Sequence, residues 1–136
     1  MRALAPLVAL ALLAGALIAP AGAGSRVTDI TVEQARELIQ QRSGTSDFVI
    51  LDVRTPAEFT EGHIGGAINP DISAPGFEKR LGALDRGKTY LVYCRTGNRS
   101  LRAVQAMERL GFRSVYHMNQ GIVAWQQKRL PLSRTS

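Results

Sequence analysis

Thr89-Tyr90-Leu91-Val92-Tyr93-Cys94-Arg95-Thr96-Gly97-Asn98-Arg99-Ser100 is the stretch whose reading decides the fold. The β-branched, aromatic and apolar residues from Thr89 to Tyr93 predict a short buried strand. The run stops at Cys94, the only cysteine of the chain. A turn of small and cationic residues follows, then a helical pattern from Ser100 to Leu110 that Gly111 can terminate. α/β proteins place their chemistry where a strand ends and the next helix begins. Backbone N–H groups and the helix dipole there favour an anion. With Arg95 and Arg99 close in sequence, these effects predict a Cys94 held as thiolate, the nucleophilic form, with a lowered pKa.

The same logic extends outward along the chain. Val27 to Ile30 is a weak first strand, and Thr31 with Gln34 forms a capping box for a helix carrying Val32, Ala35, Leu38 and Ile39 on one face. Phe48 to Val53 is the strongest strand signal, apolar almost throughout as in a parallel sheet covered on both sides. Thr55, Pro56 and Glu58 open a short helix, with Gly62 placed to end it in a left-handed conformation. Ala67-Ile68-Asn69 predicts a brief strand closed by Pro70. Phe77, Leu81 and Leu84 share a helical face, Val115 to Met118 is the last strand, and Ile122 to Lys128 is a closing helix with Trp125 in the core. Strands alternating with helices argue for an α/β domain: a five-stranded parallel sheet with helices on both faces.

The chain has 136 residues, enough for one domain. Residues 1–23 are expected to stand apart as a cleaved signal peptide: Arg2 is a minimal basic region, Ala3 to Ala19 carries no charge, and Ala21-Gly22-Ala23 supplies small residues for cleavage. The folded domain is then residues 24–136, expected outside the cytoplasm, periplasmic or secreted, with no membrane attachment once the leader is gone. A lone cysteine there makes no internal disulfide, and a free reactive thiol fits its cationic surroundings. The formal net charge of +6 comes from basic residues scattered along the chain, with a local concentration at Arg95, Arg99 and Arg102. No basic run interleaves with aromatics, which argues against nucleic acid and for a small anionic substrate. Two distant histidines and one cysteine offer no metal-ligand spacing.

Three blocks resemble a single-domain rhodanese, a sulfurtransferase family, and most of all its secreted phage-shock type. Leu51 to Phe59 with Gly62 to Asn69 resembles the family's N-terminal signature, Tyr93 to Ser100 its active-site loop, and Gly121 to Trp125 with Leu130-Pro131 its closing motif. Gln120 stands where a second glycine is usual. The resemblance implies a thiosulfate sulfurtransferase; a monomer without a cofactor is the default expectation. Cys94 would take sulfur from an anionic donor such as thiosulfate, hold it as a persulfide, and pass it to cyanide or a thiol. Amides from Arg95 through Thr96, Gly97, Asn98 and Arg99 to Ser100 would cradle the anion, Gly97 giving the chain its curl. Arg95 and Arg99 would attract the donor, or Arg99 would instead aim its fork at it bidentately.

Two other functions compete. A phosphatase or arsenate reductase on the same fold carries one more residue between cysteine and arginine, whereas Cys94 through Arg99 makes six positions. A non-catalytic or low-turnover persulfide carrier or binding module would keep the fold without the turnover. Around the loop, Asp52 and Arg54 are supporting residues: Asp52, at the end of a buried strand, invites an acid–base role but fits better as a carboxylate satisfied by loop N–H groups or an arginine, and Arg54 is a partner for Glu58 at helical spacing. His63 is expected to cap its turn, His117 to have a packing or surface role, and Tyr93 to pack under the loop.

Overall fold

The computed structural model describes residues 26–134. The expected leader, residues 1–23, lies outside the described residues. Elements follow in the order β1 (Arg26–Ile30), α1 (Val32–Arg42), β2 (Phe48–Asp52), α2 (Pro56–Glu61), α3 (Phe77–Gly82), β3 (Thr89–Tyr93), α4 (Asn98–Arg109), β4 (Ser114–Met118) and α5 (Gly121–Gln127). The strands pair in parallel in the order β1-β4-β3-β2. No helix among the described residues is long and apolar enough to cross a membrane.

β3 runs through the middle of the sheet with every residue buried. Its side chains alternate between two cores, as the pleat requires. Tyr90, Val92 and Cys94 pack on one side with Leu51, Phe77, Leu81, Val104, Met107 and Phe112, beneath α3 and α4. Leu91 and Tyr93 pack on the other with Val32, Ala35, Ile50, Ile122 and Trp125, beneath α1 and α5. Burying each large apolar side chain contributes about 1.5–3 kcal/mol, so a strand apolar on both faces is the natural centre of the sheet.

Local signals act as expected at the helix starts. Thr31 Oγ1 accepts from Gln34 N–H at 3.1 Å while Gln34 Oε1 accepts from Thr31 N–H at 2.9 Å. Thr55 and Glu58 make the same reciprocal arrangement, with Pro56 at the first helical position. Three expectations need correction. The sheet has four strands, not five: Ala67-Ile68-Asn69 contributes one parallel bridge, Ile68 to Leu51. Its two ladder bonds are Asp52 N–H to Ile68 O and Ile68 N–H to Ile50 O, both 2.9 Å. Beyond them Pro70 has no N–H to give, and the Asn69 side chain donates instead to the Asp52 and Arg54 carbonyls at 2.8 Å. Gly62 ends α2 in extended backbone, φ 162°, rather than the left-handed region. What its missing side chain relieves is closeness to Leu132, whose Cδ1 would lie 3.3 Å from a Cβ there. Helix α4 begins at Asn98, ahead of the periodic pattern that opens at Ser100, because Gly97 turns at φ 104° and its carbonyl accepts from Leu101 N–H at 2.9 Å.

Candidate active site

The end of β3, the following loop and the first turn of α4 curl around one sulfur atom. Cys94 Sγ accepts from Gly97 N–H and from Ser100 Oγ–H, each at 3.1 Å. Gly97 and Ser100 are buried with it, whereas Arg95, Thr96 and Asn98 are exposed at the rim and Arg99 is half-buried. Cys94 is only 1% exposed, so its sulfur is almost wholly shielded from solvent. Burial pushes the thiol pKa up, but the Ser100 hydroxyl and the N–H groups of Ser100, Gly97 and Thr96 outweigh it and hold the pKa below the ordinary thiol value. Hydrogen bonds from the loop and the first turn of α4 do most of this, as expected of N–H groups at a helix start, and the Arg99 charge interacts favourably with the thiolate as well.

The loop keeps its shape because α5 backs it. Ile122 N–H donates to the Cys94 carbonyl at 2.9 Å and Val123 N–H to the Arg95 carbonyl at 3.2 Å. This places Gly121, at φ 74°, directly against the Arg95 carbonyl, where any Cβ would overlap backbone. Gly97 is equally confined by the carbonyl of Asn119. Gln120, by contrast, sits at φ −83°, a conformation open to every residue, which explains why this position does without glycine.

Charged neighbours form two clamps. Arg99 grips Glu58 through both ends of its fork, Nη1 to Oε1 at 2.7 Å and Nη2 to Oε2 at 2.9 Å. The Arg99 fork holds the Glu58 carboxyl at about 2, well below the usual carboxylate range. One side chain thus closes the capping box of α2 and orients the loop arginine. Arg54 does not pair with Glu58 as its spacing suggested. Its Nη2 and Nε lie 2.7 and 2.9 Å from Asp52 Oδ2 and Oδ1, and Nη2 also donates to the Gly62 carbonyl at 2.7 Å. Asp52, fully buried, also accepts from Arg54 N–H at 3.0 Å and from the Tyr93 hydroxyl at 2.8 Å. Burial, reinforced by Asp52, drives the Tyr93 phenol far above its ordinary pKa, so the hydroxyl remains a donor. Tyr93 faces the core opposite Cys94, and its oxygen also accepts from Ile64 N–H at 3.0 Å. Asp52 therefore has the carboxylate-satisfied-by-arginine arrangement, with its oxygens turned to Arg54 and Tyr93 rather than to the sulfur.

His63 bonds through Nδ1 to the Phe59 carbonyl at 2.7 Å and stacks on the Phe59 ring, closing its turn. His117 is not a surface residue: it is 2% exposed, and its Nε2 lies 2.7 Å from Ser100 Oγ. The missed signal was parity, since His117 stands two residues beyond Val115 and so faces the same α4-side layer as Cys94. Among the described residues no group of three histidine, cysteine or carboxylate side chains is placed to hold a metal.

Residues 31–128 match the family model of the rhodanese-like domain. A sulfurtransferase of Allochromatium vinosum is 30% identical over 98 residues, covering 72% of this chain and 90% of that protein. An uncharacterised Synechocystis protein is 33% identical over 83% of this chain. A probable adenylyltransferase/sulfurtransferase, MoeZ, of Mycobacterium tuberculosis is 34% identical over 83% of this chain. The matched region spans 61% and 27% of those two proteins, so the chain corresponds to one part of them. Among solved structures, a rhodanese-related protein of Thermoplasma volcanium superposes with a TM-score of 0.67 at 31% identity, covering 79% of this chain and 99% of that one. Family match, parallel α/β architecture and a cysteine cradled between strand and helix agree: the chain belongs to the rhodanese-like domain family.

Proposed function

We propose that this protein is a sulfurtransferase in which Cys94 carries sulfur as a persulfide, with a small anionic donor such as thiosulfate and a thiol or cyanide as acceptor. The observation that carries the reading is the sulfur's environment: a buried Sγ held by Gly97 N–H and the Ser100 hydroxyl, with its pKa lowered. The thiolate attacks the donor's outer sulfur, a new S–S bond forms, and the donor's own S–S bond breaks with its electron pair leaving on sulfite. The acceptor then attacks the terminal sulfur of the persulfide and regenerates the thiolate. Double displacement divides one difficult transfer into two easier ones.

Arg95 at the rim supplies attraction for the donor, and the loop amides from Arg95 to Ser100 stabilise the persulfide anion. Arg99, oriented by Glu58, adds positive potential rather than a free fork. That commitment also weighs against phosphoryl chemistry, which needs an arginine available to grip a tetrahedral oxyanion. The near-complete burial of Cys94 favours a donor that presents a single exposed sulfur. We further assign the domain to the periplasm or the exterior on the strength of the uncharged run from Ala3 to Ala19.

Incubation with thiosulfate followed by intact mass measurement tests the chemistry. A gain of one sulfur atom, absent in Cys94→Ser, is the expected result. No gain would favour the binding-module reading, and turnover of an aryl phosphate would favour the phosphatase one.

A further inference from the structure

Beneath the loop, four polar groups stand in line, two from strands β1 and β4, one just past the end of β3 and one from α4. Cys94 Sγ is 3.1 Å from Ser100 Oγ, Ser100 Oγ is 2.7 Å from His117 Nε2, and His117 Nδ1 is 3.0 Å from Asp29 Oδ1. The sheet register builds this line: His117 on β4 pairs with Asp29 on β1 on one side and with Val92 on β3 on the other. Cys94 lies two residues beyond Val92, on the same face. Cys94, Ser100 and His117 are all buried, while the Asp29 side chain is 63% exposed, so the line ends at solvent.

Nothing in the sulfur-transfer steps calls for His117. A packing residue at this position needs no ring nitrogen aimed at the hydroxyl that bonds the nucleophile. We propose that Asp29, His117 and Ser100 form an internal proton path that receives the proton of the Cys94 thiol and leaves the sulfur charged. The proposal rests on Cys94 as the sulfur-carrying nucleophile and makes His117 a positioning residue acting through Ser100.

The hydrogen bonds set the direction of the path. Ser100 has one hydroxyl hydrogen and three acceptors within reach: Cys94 Sγ, the Gly97 carbonyl at 3.2 Å, and His117 Nε2 at the shortest distance. With the imidazole neutral and its proton on Nδ1, that N–H donates to Asp29, Nε2 accepts from Ser100, and Ser100 Oγ accepts the thiol hydrogen. Ionisation then takes two short hops. The S–H bond breaks with its electron pair staying on sulfur, its proton passes to Ser100 Oγ, and the original hydroxyl proton passes to Nε2. Afterwards every donor again has an acceptor: the imidazolium donates to Asp29 and to Ser100, and the renewed hydroxyl donates to the thiolate. Charge is conserved, and no oxidant, reductant or co-reactant enters.

The groups facing His117 suit this role. From β1 comes the Asp29 carboxylate, from β3 apolar Val92 with Cys94 beyond it, and from α4 the Ser100 hydroxyl. Neighbouring Arg99 is turned to Glu58. Burial lowers the imidazole's basicity, and the Asp29 carboxylate, at 3.0 Å from Nδ1, works against that.

Ultraviolet absorbance of the thiolate, titrated against pH with Cys94→Ser subtracted, reads the ionisation without any reagent entering the loop. His117→Gln keeps an amide able to bond Ser100 but takes up no proton. The expected result is a thiolate midpoint about one unit or more above wild type. Asp29→Asn, altered at the exposed end of the line, is expected to move the midpoint the same way by a smaller amount, and it carries the test if His117→Gln does not fold. Nitrogen-15 spectra of the imidazole in wild type and Cys94→Ser separate a proton path from a packing role: the imidazole midpoint must fall when the thiolate is removed. Coincident thiolate midpoints in wild type and variants, or an imidazole indifferent to Cys94→Ser, would overturn the proposal. Neither measurement requires sulfur transfer, so a missing persulfide would refute the functional reading and leave this one standing or falling on its own data.

Discussion

Replacing Asp52 by asparagine separates scaffold from catalysis at the position most easily mistaken for an acid–base group. The carboxylate is fully buried and its partner Arg54 is 5% exposed. The amide introduced by Asp52→Asn would fill nearly the same space but leave the guanidinium without a counter-charge, and it would turn an NH2 group toward donors that now find acceptors. Breaking one side of a buried pair costs about 3–5 kcal/mol. An amide that retains one acceptor oxygen for Arg54 or the Tyr93 hydroxyl belongs at the lower end, about 3 kcal/mol. For a domain of this size each kcal/mol moves the melting temperature by about 4 °C, so a fall of about 12 °C is expected. Urea unfolding with an unchanged m-value checks the magnitude, and adding Arg54→Met should recover at least about 1 kcal/mol by removing the stranded charge. The thiolate midpoint of Cys94 and the rate of sulfur loading per folded molecule should hold within about threefold, since the Asp52 oxygens are engaged by Arg54 and Tyr93. Full stability with loading reduced by about a hundredfold would refute the reasoning and return Asp52 to the chemistry.

Three further outcomes follow from the same geometry. Because Arg99 depresses the Glu58 pKa from 4.5 to about 2, their pairing stabilises the fold above about pH 4.5 and that stability is lost as pH falls toward 2. Both side chains are about a quarter exposed, which limits the contribution to about 1 kcal/mol, and Glu58→Gln should erase this part of the acid dependence in pH-resolved unfolding. Arg99→Ala should cost no more than about 1 kcal/mol of stability while raising the thiosulfate KM about tenfold; equal losses of stability and activity would count against a donor-attracting role. Gly121→Ala combines a left-handed backbone with overlap at the Arg95 carbonyl and should destabilise by about 2 kcal/mol or more, to the same extent as Gly97→Ala; urea titration of both variants measures it.

Local patterns carried what local physics controls. An apolar run from Thr89 to Tyr93 cannot stay in water, so it marked the buried central strand, and the thiol at its end marked the site before any partner was known. The two capping boxes were legible because donor and acceptor lie three residues apart on one helix turn. Family resemblance in three ordered blocks added the loop's membership, not its internal bonds. Tertiary structure decided the rest, wherever one residue had several possible partners. Ala67-Ile68-Asn69 has strand-like composition, but a strand exists only as long as its neighbour's ladder does, and Pro70 ends that ladder after a single bridge. Arg54 had carboxylates two and four residues away; helical spacing favours Glu58 only inside a helix, and Arg54 precedes the cap of α2, leaving it to Asp52. With Arg54 so engaged, Glu58 is the partner of Arg99 across 41 residues. His117 and Asp29 are 88 residues apart, and only the parallel register of β1 with β4 brings them beside Ser100 and the sulfur. Composition reveals which groups must leave water, but only packing chooses which ones meet.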